Sequence, residues 1–111
     1  MNKINKLNKL NKLCVLIREA ELTAAQQAVQ AGHAVAEWLI AFPDVWQNGI
    51  LIYTKVPSER DLLSYAAMFD SRDCKYTLYS DIDLGENFTA LATADEKALV
   101  LTKRLPLWCP K

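Results

Sequence analysis

Several things are scarce in this chain of 111 residues, and each scarcity closes off a class of protein. It has one histidine, His33, and three cysteines, Cys14, Cys74 and Cys109, which form no C-x-x-C pair. A zinc site needs several nitrogen, sulfur or carboxylate ligands in a recognisable spacing, so no metal is expected. An odd number of scattered cysteines makes no disulfide framework either. They read as reduced thiols of a cytoplasmic protein. No apolar run approaches the ~20 residues of a membrane span, so no membrane association is expected. Arg18, Glu19 and Glu21 interrupt the first apolar stretch too early for a secretory signal. Glycine occurs three times, and no G-x-S-x-G, phosphate-loop or dinucleotide fingerprint is present.

What remains is apolar enough for a core: 51% of residues are hydrophobic and 23% charged, which suits one soluble domain. The 13 basic and 13 acidic residues balance, but not evenly along the chain. Lys3, Lys6, Lys9 and Lys12 lie in the first thirteen residues, which hold no acid, so the body carries an acidic excess. Phosphate affinity needs clustered lysine and arginine, and the body offers no general footing for it. Residues 1–12 repeat Asn-Lys-apolar with period three. Three residues turn a helix by 300°, so the repeat builds no stable face. It reads as a low-complexity basic leader to a single α/β domain over residues 13–111, with a basic arm for RNA as the sharper alternative.

Local signals then mark out the elements. Residues 13–17 (LCVLI) suit a buried central strand. Thr23 is a plausible N-cap for a helix that Pro43 must stop. Residues 50–56 (ILIYTKV) form a second strand. Ser58 and Asp61 have the spacing of a capping box for a second helix, whose core face is Leu62, Tyr65, Ala66 and Phe69. Residues 75–81 alternate as a third strand, and residues 88–93 are a short fourth. Residues 95–104 fit either a helix capped by Thr93 or an extended run. Strand, helix, strand, helix, strand, strand implies a parallel pair with a crossover, hence a layered α/β fold.

The first helix holds the candidate chemistry. Gln26, Gln30, His33 and Glu37 fall on one narrow stripe, and nearly everything else on it is apolar. Such a helix is expected to be buried on most sides, with the stripe facing a cleft. His33 has the ordinary pKa for proton transfer near neutrality, although a histidine can equally sit hydrogen-bonded in a helix face. Gln30 can orient a carbonyl or a water. Asp81, Asp83, Glu86 and Asn87 cluster just past the third strand, where ligands gather in α/β sheets, although a solvated acidic turn would look the same.

Two stretches resemble the type-2 peptidyl-tRNA hydrolase family. The family helix reads G-K-x-A-A-Q-x-x-H-A, and Gln30-Ala31-Gly32-His33-Ala34 matches its Q-x-x-H-A end. Asp83-Leu84-Gly85 matches the family's Asp-x-Gly. The family lysine falls on Gln26, and its threonine falls on Asn87, with Thr89 two residues on. The resemblance covers about residues 13–93. It implies a small mixed four-stranded sheet flanked by helices, hydrolysis of the ester between peptide and tRNA, no obligatory metal or other cofactor, and a homodimer. It further implies His33, Asp83 and Gln30 as catalytic residues, with Gln26, Asn87 and Thr89 binding the tRNA substrate. A non-catalytic module on the same fold, recognising an RNA end or a protein, is the competing expectation.

Overall fold

In the computed structural model, which describes residues 11–85 and 87–109, the apolar runs become the centre of one sheet. Strand β1 (Lys12–Arg18) is followed by helix α1 (Ala24–Ala41), strand β2 (Ile50–Val56) and helix α2 (Glu59–Ser71). Strand β3 (Thr77–Ser80), one turn of 3-10 helix (Ile82–Leu84), strand β4 (Phe88–Thr93) and helix α3 (Glu96–Leu101) complete the order. The sheet runs β2-β1-β4-β3. β1 pairs parallel with β2 because α1 carries the chain back between them, and β4 lies antiparallel to both β1 and β3. The protein is thus a small α/β fold with a mixed four-stranded sheet flanked by helices. Among the described residues no helix is long and apolar enough to cross a membrane.

Strand alternation splits the core in two. Leu13, Val15 and Ile17 of β1 face α1, where Ala31, Ala34 and Trp38 meet them together with Ala90 and Ala92 of β4. Cys14 and Leu16 face the other way and pack with Leu62, Ala66 and Phe69 of α2. Trp38 is fully buried, and truncating such a residue to alanine typically costs about 3–5 kcal/mol.

Several local expectations meet the structure directly. Thr23 caps α1 in a full capping box: its Oγ1 accepts from the Gln26 N–H at 3.1 Å, and Gln26 Oε1 accepts from the Thr23 N–H at 2.9 Å. Ser58 caps α2, taking the Asp61 N–H at 3.3 Å while its hydroxyl donates to Asp61 Oδ2 at 2.7 Å. Of residues 95–104, Glu96–Leu101 form a helix, yet Asp95 and not Thr93 caps it. The Thr93 hydroxyl is drawn instead to the Lys75 carbonyl, at 2.7 Å.

Two findings differ from expectation. α1 is buried along one side only, since Ala25, Ala28, Val29, Gly32, Ala36 and Ile40 are exposed. One sheet face can cover only part of a helix, and nothing else in the described chain packs on the rest. The second difference is at the start of β1. Residues 1–10 of the leader lie outside the described residues, but Asn11 and Lys12, also assigned to it, are held by the fold. The Asn11 carbonyl accepts from Ile50 N–H at 2.8 Å and from the buried Trp46 Nε1 at 3.2 Å, and its Oδ1 takes the Gln47 N–H at 2.7 Å. The tail is non-helical, as its prolines require. The Pro106 carbonyl accepts from Lys55 N–H at 3.1 Å and Trp108 N–H donates to the Tyr53 carbonyl at 2.9 Å, lining the free edge of β2.

Candidate functional site

The site is built where α1 passes the end of β3. Strand alternation puts residues 77 and 79 on the face toward α1, and the same period carries Asp81 to that side just past the strand. Gln30, on the buried flank of α1, is 1% exposed. Its Nε2 donates to Asp81 Oδ2 at 3.0 Å, and its Oε1 accepts from the Thr89 hydroxyl at 2.6 Å. These bonds have one polarity. An ionised carboxylate only accepts, so the glutamine must turn its amide to Asp81 and its carbonyl to Thr89, and the hydroxyl must donate. The Tyr79 carbonyl lies 3.3 Å from the same hydroxyl as its alternative acceptor.

Asp81 Oδ1 accepts the Asp83 N–H at 3.0 Å, which fixes the 3-10 turn above the strand. The Gln30 amide, then the Asp83 N–H, then the charge of His33 hold the Asp81 carboxyl below its ordinary pKa. His33 itself is exposed and stacks on Tyr79, with ring centroids 4.7 Å apart and planes 13° from parallel. That stacking fixes the imidazole plane on one side while leaving the ring edge toward solvent. Burial, followed by the charges of Asp81, Glu37 and Asp83, pushes the Tyr79 phenol up.

A recess of about 230 Å³ opens beside this network, lined by Gln26, Val29, Gln30, Asp81, Asp83 and Leu84, with Ala25 at its rim. Of the expected site residues, Gln26, Gln30 and Asp83 therefore line one cleft, and Thr89 lies beneath it as the anchor of Gln30. His33 is not among the lining residues; it stacks on Tyr79, one turn along α1 from Gln30. Asn87 is exposed in the turn ahead of β4 and is not among the lining residues. Gln26 faces the recess with its Oε1 already engaged in the capping box. Glu86 lies outside the described residues.

The residues that sequence reasoning under-weighted are Asp81 and Tyr79. Asp81, not Asp83, receives the glutamine, and Tyr79 is the platform for the histidine. The signal was the two-residue period of the third strand. It was obscured because the family motif drew attention to Asp83. A larger groove of about 600 Å³ lies at the opposite edge of the sheet, along Leu51, Ile52, Tyr53, Leu107 and Trp108. It is apolar and has no acid–base pair. Among the described residues no group of three or more His, Cys, Asp or Glu is placed to hold a metal ion.

The fold and cleft together define a small α/β protein with a recess, walled by two glutamines, two aspartates and apolar side chains, at the junction of its first helix and the β3–β4 turn. No protein-family model and no curated protein matches the chain. A solved structure of a protein of unknown function from Agrobacterium tumefaciens strain C58 is similar to it in fold, with a TM-score of 0.66 at 14% sequence identity, covering 88% of this chain and 97% of that one. At that identity the likeness extends to the fold alone.

Proposed function

We propose that the chain is a hydrolase of an aminoacyl-type ester, with peptidyl-tRNA as the first substrate to test. The observation supporting this is convergence. Gln26 and Gln30 come from one stretch and Asp83 from another some fifty residues on, yet they line one recess, with His33 one turn along the same helix. On this reading His33 takes a proton from the attacking water. Asp83 orients that water from the rim, and Gln30, locked between Asp81 and Thr89, keeps the wall of the site rigid. The tRNA would be the partner and the cytoplasm the compartment, in keeping with cysteines that form no disulfide among the described residues.

A second reading, a non-catalytic binding module, has its own support. Gln26 stands where the family carries lysine, and its acceptor is spent on capping α1. The described lining residues include two carboxylates and no lysine or arginine, so a phosphate gains little there. That favours a protein partner over an RNA.

Turnover of peptidyl-tRNA and of an N-blocked aminoacyl-tRNA separates the two. The hydrolase reading expects His33→Ala to lower the rate by about 10²-fold or more, the usual scale of a lost general base. Gln26→Lys should raise it by about tenfold, or ~1.4 kcal/mol, through an added charge. The same change removes the capping acceptor and should cost α1 about 0.5–1 kcal/mol. Absence of turnover at micromolar enzyme would give the site to the binding-module reading.

A further inference from the structure

The charges that line the recess beside Gln30 are of one sign. Asp81 and Asp83 line it, and no lysine or arginine does. Its walls come from α1 and from the turn after β3, and residues 19–54 and 76–96 contain neither basic residue. Asp81 Oδ2 accepts from Gln30 Nε2 and Oδ1 from the Asp83 N–H. Each oxygen thus has one donor and can accept another. Those two donors hold the Asp81 carboxyl below its ordinary pKa, so it is charged at neutral pH. The remaining wall at Ala25, Val29 and Leu84 is apolar. The space of about 230 Å³ is therefore apolar along one side and anionic along the other.

We propose, resting on the ester-hydrolase reading, that the site takes aminoacyl esters with a free α-ammonium in preference to N-blocked ones. Asp81 receives the ammonium, Asp83 adds its charge from the rim, and Val29 and Leu84 carry the side chain of the amino acid. An ammonium brings three donors and a positive charge to acceptors that have no cation beside them. A peptidyl ester, the substrate that the family resemblance implies, offers only a neutral amide N–H at the same atom. It also places further chain where the ammonium would sit. A charge-assisted hydrogen bond is about twice as strong as a neutral one, which sets the direction of the preference. Among the described residues the other titratable groups facing Asp81 and Asp83 are His33 and Glu37 of α1 and Tyr79 of β3. Their titration acts on both kinds of ester alike, so a ratio of rates isolates the amine.

The test compares leucyl-tRNA with N-acetyl-leucyl-tRNA on the full chain, with the uncatalysed rate subtracted at each pH. At about pH 6, below the usual α-amino range, kcat/KM for the free-amine form should be about tenfold higher or more. The ratio should fall toward one as pH rises through the pKa of the amine. Ala25→Lys, at an exposed position on the rim, brings a competing ammonium and should also cut the ratio about tenfold. Equal rates, or faster cleavage of the acetylated form, overturn the proposal. A preference that neither pH nor Ala25→Lys changes overturns it too, because size and not charge would then select. If neither form is cleaved, the ester-hydrolase reading fails, and binding judges the ammonium site separately. The probes are then 3′-leucylamino-adenosine, which has an amide in place of the ester, and its N-acetylated form, titrated by calorimetry. Binding of the free amine about tenfold tighter upholds the site, while equal binding, or none, overturns it.

Discussion

Gln30 is the residue through which the buried sheet and the open cleft are joined. Its carbonyl rests on Thr89 and its amide on Asp81, and neither end can be exchanged while Asp81 is ionised. Thr89→Val keeps the shape but removes the donor, leaving a buried carbonyl oxygen unpaired. Urea unfolding should show a loss of about 1–3 kcal/mol, and a loss under half a kcal/mol would mean that the bond contributes little. The acid behaviour follows from the same network. Folded Asp81 ionises below its ordinary value, so its contribution is complete above the usual carboxylate range and fades as pH falls through the folded value. Gln30→Glu reverses that slope. A second carboxylate would sit 1%-exposed against the first, its own pKa raised by burial and by like charge. The variant should lose about 3 kcal/mol at neutral pH. It should regain stability as acid protonates the pair, so a pH series of unfolding midpoints that ran parallel to wild type would refute this account.

At the scale of elements, the fold depends on small contacts that hold strands in register. Gly49 precedes β2, and a Cβ there would collide with the side chain and carbonyl of Asn11. Asn11 is the acceptor that ties the Trp46 loop and the head of β2 to β1. Gly49→Ala should therefore cost about 1–3 kcal/mol, the usual range for overpacking a tight site, measured as a fall in thermal midpoint. A change below the error of the measurement would show that Asn11 moves aside freely. The helices obey a more local rule. α1 and α2 each begin at a hydroxyl that accepts from the N–H three residues on, and α1 ends next to a proline. These contacts lie within four residues of one another, which is why they could be read without the fold.

Across the whole molecule, the last residues close what the sheet leaves open. Residues 106–108 bond to the free edge of β2, and Trp108 Nε1 donates to Gln27 Oε1 at 2.7 Å, joining the tail to α1. Gln27 is buried, and its amide donates to the Leu22 carbonyl at 2.8 Å, so the tail and the entry to α1 are braced together. Removing residues 106–111 should cost about 2 kcal/mol or more in lost bonds and leave β2 as an unprotected edge. Light scattering of the truncated chain at rest and a lowered urea midpoint should both report it. An unchanged midpoint with no rise in scattering would show the tail to be an ornament of the edge.

The sequence by itself determined the order of the four strands and two long helices, the bounds of α1, β2 and β4 to within a residue, the caps of those helices and the layered α/β class. Each of these follows from periodicity or from a contact a few residues long, and such signals need no partner. Only the tertiary structure decided which side of α1 is buried. A helix apolar almost all round carries no mark for inside and outside, so the sheet's reach chose, and Ala25, Ala28, Val29, Gly32, Ala36 and Ile40 stayed in solvent. It also decided that Asp81 and not Asp83 would hold Gln30, 51 positions away, because that pairing depends on how α1 lies across the end of β3, which only folding sets. Asn11 with Trp46, and Trp108 with Gln27, belong to the same class. Their partners lie 35 and 81 positions away, and only folding brings such groups within hydrogen-bond distance.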